Sequence, residues 1–284
     1  MIFVLTLFVS SAIGCPCEAQ APEERPLNTT RVHWVHVPKT GTSFVHAIHY
    51  VGCRNVYQHP SAVFNQVQQK DCKPGFDRVE PGHDPLRVTR KHGNAVTMVR
   101  EPIARIASGF VHLMHDCWRM QRQYNCYENH ENRRLECMRQ IIGPLDGNGS
   151  IPEEKRPIVR RYAQCVDGCT VRLLNGRFCY AGDRPSQTEV KRAIELISDG
   201  TFAFVGLFEA WNQTVCRFLR RFGTTPPPCD HYLWKNIHKT PDEVGHYETA
   251  VARMLRDEGW DDADEPLYQE AKRLFFGAKV NSIL

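Results

Sequence analysis

Val32-His33-Trp34-Val35-His36-Val37-Pro38-Lys39-Thr40-Gly41-Thr42-Ser43-Phe44 opens on a run of apolar and β-branched residues and closes on a turn of small polar ones. The first six read as a buried strand that Pro38 stops, because proline cannot donate to a sheet ladder. From Thr42 onward, Phe44, Ala47, Ile48 and Val51 recur at helical spacing. The same strand-then-helix unit appears twice more. Ala95–Val99 precedes a helix with Pro102 in its first turn, where a missing N–H costs nothing, and with Ile103, Ile106, Ala107, Phe110 and Met114 on its apolar face. Phe202–Val205 precedes Trp211, Val215, Phe218, Leu219 and Phe222. Strands alternating with helices predict an α/β fold, a parallel sheet flanked by helices on both faces, in a single domain. Residues 116–161 read as helical excursions from that core, and 241–276 as two helices around Gly259.

The composition is that of a globular protein, with 42% hydrophobic and 24% charged residues in 284. A net charge of +4 is too small to argue for duplex nucleic acid. Basic residues outnumber acidic ones over 81–161 and the reverse holds over 241–284, which would suit an anionic ligand bound centrally. Ile2–Val9 is an unbroken apolar run followed by Ser10, Ser11, Ala12, Ile13 and Gly14, so residues 1–14 are expected to be a signal peptide or a short membrane anchor. Residues 15–30, polar and rich in Pro and Glu, read as a stem or linker. Entry into the secretory pathway accords with twelve cysteines, which in an oxidising lumen form disulfides. It accords also with three N-glycosylation sequons at Asn28, Asn148 and Asn212, the last inside a predicted helix. Cys165, Cys169 and Cys179 lack paired C-x-x-C spacing and a nearby histidine, so disulfides or free thiols are expected there and not a metal.

Two strand–helix junctions carry the chemistry. In Pro38-Lys39-Thr40-Gly41-Thr42-Ser43, Gly41 permits a tight turn, the helix N-terminus presents N–H groups, Lys39 adds a cation and Thr40, Thr42 and Ser43 add hydroxyls. Such a turn suits a phosphate or sulfate, although a plain turn with a Ser/Thr cap would use the same residues. It is not a Walker A loop, since G-x-x-x-x-G-K-[ST] occurs nowhere in the chain. At the second junction Arg100 leaves a strand, and Ser108 follows a little over two helical turns later. A guanidinium fork with a hydroxyl is a second anion site suited to a phosphate monoester. A salt bridge and a surface serine are the bland alternative.

Together these motifs resemble the sulfotransferase family. His36–Phe44 is similar to its 5′-phosphosulfate loop, and Val99-Arg100-Glu101-Pro102 with Arg105 and Ser108 to its 3′-phosphate motif, in matching order and separation. Phe204–Glu209 resembles a family strand–helix junction. Asp264–Tyr268 with Leu274-Phe275 resembles the closing segment of the Golgi-type carbohydrate enzymes, so the likeness spans 31–276 and is nearest to the membrane-bound branch that includes the heparan and uronyl 2-O-sulfotransferases.

The resemblance implies a P-loop-like sulfotransferase domain over 31–284 in the Golgi lumen, with 3′-phosphoadenosine 5′-phosphosulfate (PAPS) as co-substrate and no metal. Lys39, Thr40, Gly41, Thr42, Ser43, Phe44, Arg100 and Ser108 would bind the donor, and Lys39 would also stabilise the leaving phosphate. Gly82-His83 resembles the Gly-His that carries the base in the 2-O branch, and a histidine accepts a proton near neutral pH. His46 and His49 compete for that role, whereas His33 and His36 alternate with core positions and read as packed or solvated strand residues.

The implied acceptor is a glycan or another hydroxyl-bearing molecule, not nucleic acid. Arg87, Arg90, Lys91, Arg133, Arg134, Lys155, Arg156, Arg160 and Arg161 form either its binding patch or a solvated basic face. Two other readings stay open: a nucleoside-phosphate kinase, which would need a Walker loop, and a non-catalytic disulfide-rich binding module, which would not need Lys39, Arg100 and Ser108 at once.

Overall fold

A computed structural model describes residues 17, 33–52, 83–86, 95–124, 134–180, 182–228, 231–234 and 242–277. The leader over 1–14, the Asn28 sequon, the basic residues Arg87, Arg90, Lys91 and Arg133, and the side chain of His49 lie outside the described residues. In chain order the elements are β1 (His33–Val35), α1 (Phe44–Gly52), β2 (Ala95–Val99), α2 (Pro102–Val111), α3 (Trp118–Gln123), α4 (Arg134–Ile142) and α5 (Arg156–Val166). They continue with α6 (Cys169–Leu174), α7 (Gln187–Ser198), β3 (Phe202–Leu207), α8 (Trp211–Arg221), α9 (Asp242–Asp257) and α10 (Glu265–Phe276).

The described strands form one parallel sheet in the order β1-β2-β3. All five residues of β2 are buried, which explains why that strand reads as a continuous apolar run instead of an alternating one. Side-chain alternation still sorts the sheet's two faces. Trp34, Val96, Met98 and Phe204 pack with α1 and α8, whereas Val35, Ala95, Val99 and Leu207 pack with α7 and α10. A register irregularity beside Ala95/Val96, where the partner steps from Phe202 to Phe204, sends those two phenylalanines into opposite cores. Helices therefore cover both faces.

A third core is helical. Ile106, Phe110 and Met114, from α2 and the turn after it, meet Met138 and Ile141 of α4, Val159 and Tyr162 of α5, and Val251 and Leu255 of α9. The excursion expected over 116–161 thus builds a lobe beside the sheet, and the two expected C-terminal helices are α9 and α10. Their boundaries have local causes. Glu101 caps α2 by accepting the Ala104 N–H, with Pro102 next to it, and Ser186 with Glu189 forms a reciprocal capping box on α7.

A buried ionic knot joins the lobe to the sheet. Arg105 lies 3.5 Å from Asp262 and 3.3 Å from Asp264, and Asp264 accepts the Thr170 and Val171 N–H groups at the start of α6. Arg105, which follows Arg100 in the stretch that resembles the 3′-phosphate motif, is thus turned toward two carboxylates and donates to the Val166 carbonyl, while its buried Nε has no hydrogen-bond partner.

Disulfides Cys17–Cys216, Cys117–Cys165 and Cys169–Cys179 bear out the disulfide reading and account for the three clustered thiols. Such bonds are typical of chains that fold in an oxidising environment. Cys17, within the expected stem, is thereby pinned to α8. Asn212 does lie in a helix, and Thr214 of its sequon is buried with its hydroxyl bonded to the backbone of Leu207. Asn148, by contrast, is exposed in a turn. Among the described residues, no helix is long and apolar enough to cross a membrane.

Candidate functional site

The two junctions meet at the C-terminal ends of β1 and β2, the edge at which open α/β sheets bind ligands. The Arg100 guanidinium donates to the Lys39 carbonyl at 3.3 Å, so the turn after β1 and the end of β2 are in direct contact. Gly41 has φ of 112°, and a Cβ there would stand 3.1 Å from the Trp211 ring and 3.2 Å from the Phe208 ring. Both backbone conformation and space thus demand glycine at the cradle. The turn winds directly into α1, with Phe44, Val45 and His46 N–H groups donating to the carbonyls of Gly41, Thr42 and Ser43.

The expected donor-binding residues divide by what their side chains face. Thr40 is buried, and its hydroxyl donates to the Val37 carbonyl at 2.8 Å, closing the turn. Phe44 is wholly buried against Phe204, Trp211 and Phe218 and anchors α1 to the core. Ser43 is buried too, whereas Thr42 is half-buried with its hydroxyl 3.4 Å from His36 Nε2. Lys39 has a left-handed backbone at φ 62°, and its stem runs along α2 at Gly109. A Cβ at Gly109 would lie 2.2 Å from the Tyr162 hydroxyl and 3.7 Å from Lys39 Cγ, so glycine lets the lysine and the tyrosine converge on α2.

Three basic side chains, Lys39, Arg100 and Arg134, meet two acids, Glu248 and Asp116, at the site. Burial pushes Lys39 down to about 7, helped by the positive charges of Arg134 and Arg100 and opposed by Glu248 and Asp116. Arg100 donates to Glu248 on α9 at 3.0 Å and stacks 4.4 Å from the Phe208 ring, while its buried Nε has no hydrogen-bond partner. Ser108 is buried on α2, and its carbonyl holds the His112 ring Nδ1 at 3.0 Å. Arg134 NH1 donates to the other ring nitrogen at 2.8 Å. A carbonyl only accepts and a guanidinium only donates, so His112 is a neutral ring protonated on Nδ1. Burial, Lys39 and Arg134 together hold it well below the usual imidazole range.

Beside this anion cradle lies an imidazole–carboxylate group. His83 Nδ1 is 3.0 Å from Asp116 Oδ1, and the His83 ring meets His36 and His115 edge-on at 4.7 and 4.8 Å. Burial pushes the Asp116 carboxyl up, but the His83 hydrogen bond and the neighbouring imidazoles outweigh it and hold the acid below its usual range. An ionised carboxylate accepts, so in the neutral form of His83 the proton is on Nδ1 and Nε2 carries the lone pair.

Leu113, Met114 and Asp116 all have positive φ (61°, 55° and 62°), as has Lys39. Each such non-glycine residue costs about 1 kcal/mol, and the four lie around the turn after β1 and the reversal after α2.

His83 lies beside the turn, with its ring against His36, whereas His46 is buried on α1. His36 is indeed packed, stacked on Trp34, yet it also borders the site. Sequence reasoning overlooked Asp116, His112, His115 and Glu248. A signal existed for three of them: His112-x-x-His115-Asp116 places two imidazoles and an acid just past the end of a helix that starts at the second junction. Nothing local marks Glu248, which arrives from α9.

Of the basic residues, Arg134 belongs to the site, whereas Arg160 forms a forked pair with Glu258 and Arg156 pairs with Glu153. A cavity of about 730 Å³ starts at Cys117, the residue after Asp116, and is lined by Trp118, Arg119, Arg161, Gln164 and Tyr180. Trp118 is exposed with Arg122 stacked 4.7 Å from its ring, and exposed Tyr180 stacks on Phe178.

Comparisons of this chain with protein-family models, with curated proteins and with solved structures find no match.

Proposed function

We propose that the chain is a P-loop-like, PAPS-dependent sulfotransferase of the Golgi lumen that acts on a hydroxyl of a carbohydrate. The observation that carries this reading is the convergence of Lys39 and Arg100, on a turn that only glycine can form, beside a His83–Asp116 pair. The residues suit an adenosine 3′,5′-bisphosphate group: Lys39, Arg100 and Arg134 act on one another there, and Arg100 keeps a buried N–H without a partner.

Sulfuryl transfer, like phosphoryl transfer, asks the protein for alignment and charge neutralisation more than for covalent chemistry. Lys39 and the Gly41 and Thr42 amides would neutralise the 5′-phosphate oxygen as its bond to sulfur breaks. Arg100 and Ser108 would hold the 3′-phosphate and fix the donor along the line of attack. His83 Nε2 takes the proton of the acceptor hydroxyl while that oxygen bonds to sulfur. Asp116 keeps the ring in the required tautomer and stabilises the imidazolium that forms. The groove beyond Cys117 suits a sugar chain, since exposed aromatic rings stack on sugar faces and Arg119 and Arg161 would meet acidic substituents.

The test is ligand-dependent melting with adenosine 3′,5′-bisphosphate against ATP plus Mg²⁺. Native-state binding raises the melting temperature, so a rise with the bisphosphate supports the reading, and a rise with ATP alone points to a kinase instead.

A further inference from the structure

We propose that His83, His115 and Asp116 form a binding site for a zinc-class divalent ion, and that an ion seated there switches the transferase off by capturing His83. The site claim stands on geometry, and the switch rests on His83 being the base.

One ligand atom from each of the three residues lies within 4.8 Å of the others. His83 Nδ1 is 3.0 Å from Asp116 Oδ1, and His115 Nε2 is 3.6 Å from Asp116 Oδ2. Two ligands on a tetrahedral zinc with bonds of about 2.0–2.1 Å are separated by about 3.4 Å, so small side-chain shifts complete the set. Two imidazoles and a carboxylate, with a coordination position left open, are the donors this class of ion prefers over the all-oxygen ions. Asp116 Oδ2 is buried and has no hydrogen-bond partner, so the acid that already orients His83 has an oxygen to spare. The backbone is also arranged for this. The left-handed residues Leu113, Met114 and Asp116 reverse the chain after α2 and set His115 and Asp116 abreast, with the Tyr162 hydroxyl fixing the His115 carbonyl at 2.9 Å. Lys39 and Arg134 act on His115 electrostatically and oppose a cation, and an anion on the neighbouring cradle offsets them.

The switch follows from the tautomer. A neutral imidazole carries one N–H. Without metal it is on Nδ1 and faces Asp116, which leaves the Nε2 lone pair for the acceptor hydroxyl. An ion bonded to Nδ1 needs that lone pair instead, so the proton moves to Nε2 through solvent, and the base becomes a donor. No proton is gained or lost by the ring, but its ability to take one from the acceptor is gone.

The experiment titrates ZnCl₂ into the full chain, after chelator treatment, by calorimetry, and repeats the titration with CoCl₂ to read the visible bands of four-coordinate cobalt. Sulfate transfer is assayed in parallel. The wild type should bind one ion saturably and lose transfer as the site fills. His115→Ala should bind at least tenfold more weakly, lack the cobalt bands and, whatever its own rate without metal, lose no further transfer when zinc is added. If His115→Ala melts early, His115→Gln is used, which keeps volume and polarity. No saturable binding by the wild type, or equal binding by the variant, overturns the site. Saturable binding with transfer unaffected overturns the switch alone. The cobalt bands need no activity, so absence of any sulfate transfer would count against the transferase reading and leave the site claim to be decided by binding.

Discussion

Lys39 offers a test in which the protein's own electrostatics set the magnitude. Burial and the neighbouring Arg134 and Arg100 charges bring its ammonium from the usual 10.5 down to about 7. At pH 8 only about a tenth of the ligand-free protein then carries a charged Lys39. A bisphosphate placed on the ammonium favours the charged form, so binding at pH 8 should take up about 0.9 proton. The ligand's phosphate titrates near pH 6, so its own charge is constant above pH 7. The linkage therefore predicts a Kd for adenosine 3′,5′-bisphosphate that weakens about fivefold from pH 7 to 8 and about ninefold from pH 8 to 9. Calorimetry in two buffers of different ionisation enthalpy measures the uptake directly, and Lys39→Met should abolish both the uptake and the slope.

The sign for folding is opposite to that for binding. The unfolded chain holds this proton up to about pH 10.5, so the buried ammonium destabilises the ligand-free fold below pH 7 and ceases to do so as pH rises toward 10.5. Lys39→Met should thus melt higher than the wild type at pH 6 while losing turnover. Binding that takes up no proton and holds its affinity to pH 9 would refute the placement of the anion on Lys39.

Arg100→Ala should weaken bisphosphate binding about 10- to 100-fold, the usual size of a charge-assisted fork, and equal affinity in the variant would remove the second anion site. His83→Ala should cut kcat about 100-fold or more with donor affinity unchanged, and Asp116→Asn should cut kcat at least about tenfold. His46→Ala serves as the buried control, and retained turnover in His83→Ala would move the base elsewhere. Asp262, which burial and the adjoining Asp264 charge push up to about 7 against the pull of Arg105, binds its proton more tightly folded than unfolded. Its contribution to stability is present below about pH 4 and is lost as pH rises through 7. Asp262→Asn keeps an oxygen for the Gly168 and Asp264 N–H groups, so its melting temperature relative to the wild type should climb between pH 5 and 8. A constant difference across that range would contradict the assignment.

Much of this architecture is written in local patterns. The three strand–helix units, Pro102 at a helix start and the break at Gly259 are matters of spacing and backbone chemistry, and they appear where the chain pattern places them. The cradle was legible for the same reason, since a strand end, a glycine and a lysine are neighbours in sequence. What local pattern does not carry is which polar side chains the fold turns inward. Arg105 and Ser108 sit in one motif, yet Arg105 is drawn to Asp262 and Asp264 more than 150 positions away. Thr40 reads as a ligand hydroxyl but closes its own turn. Asp116 could be tied to His83 only by knowing that the reversal after α2 returns to the end of β1. Glu248, which restrains Arg100, comes from a helix whose partner no spacing reveals.

The measurement that tests the central claim most directly is transfer of radiolabelled sulfate from PAPS to a panel of glycans by the wild-type chain and by Lys39→Ala. Label should enter at least one glycan with the wild type, with none above background for the variant. Failure of the wild type to label any glycan while it binds adenosine 3′,5′-bisphosphate, or labelling by Lys39→Ala at the wild-type rate, would contradict the account.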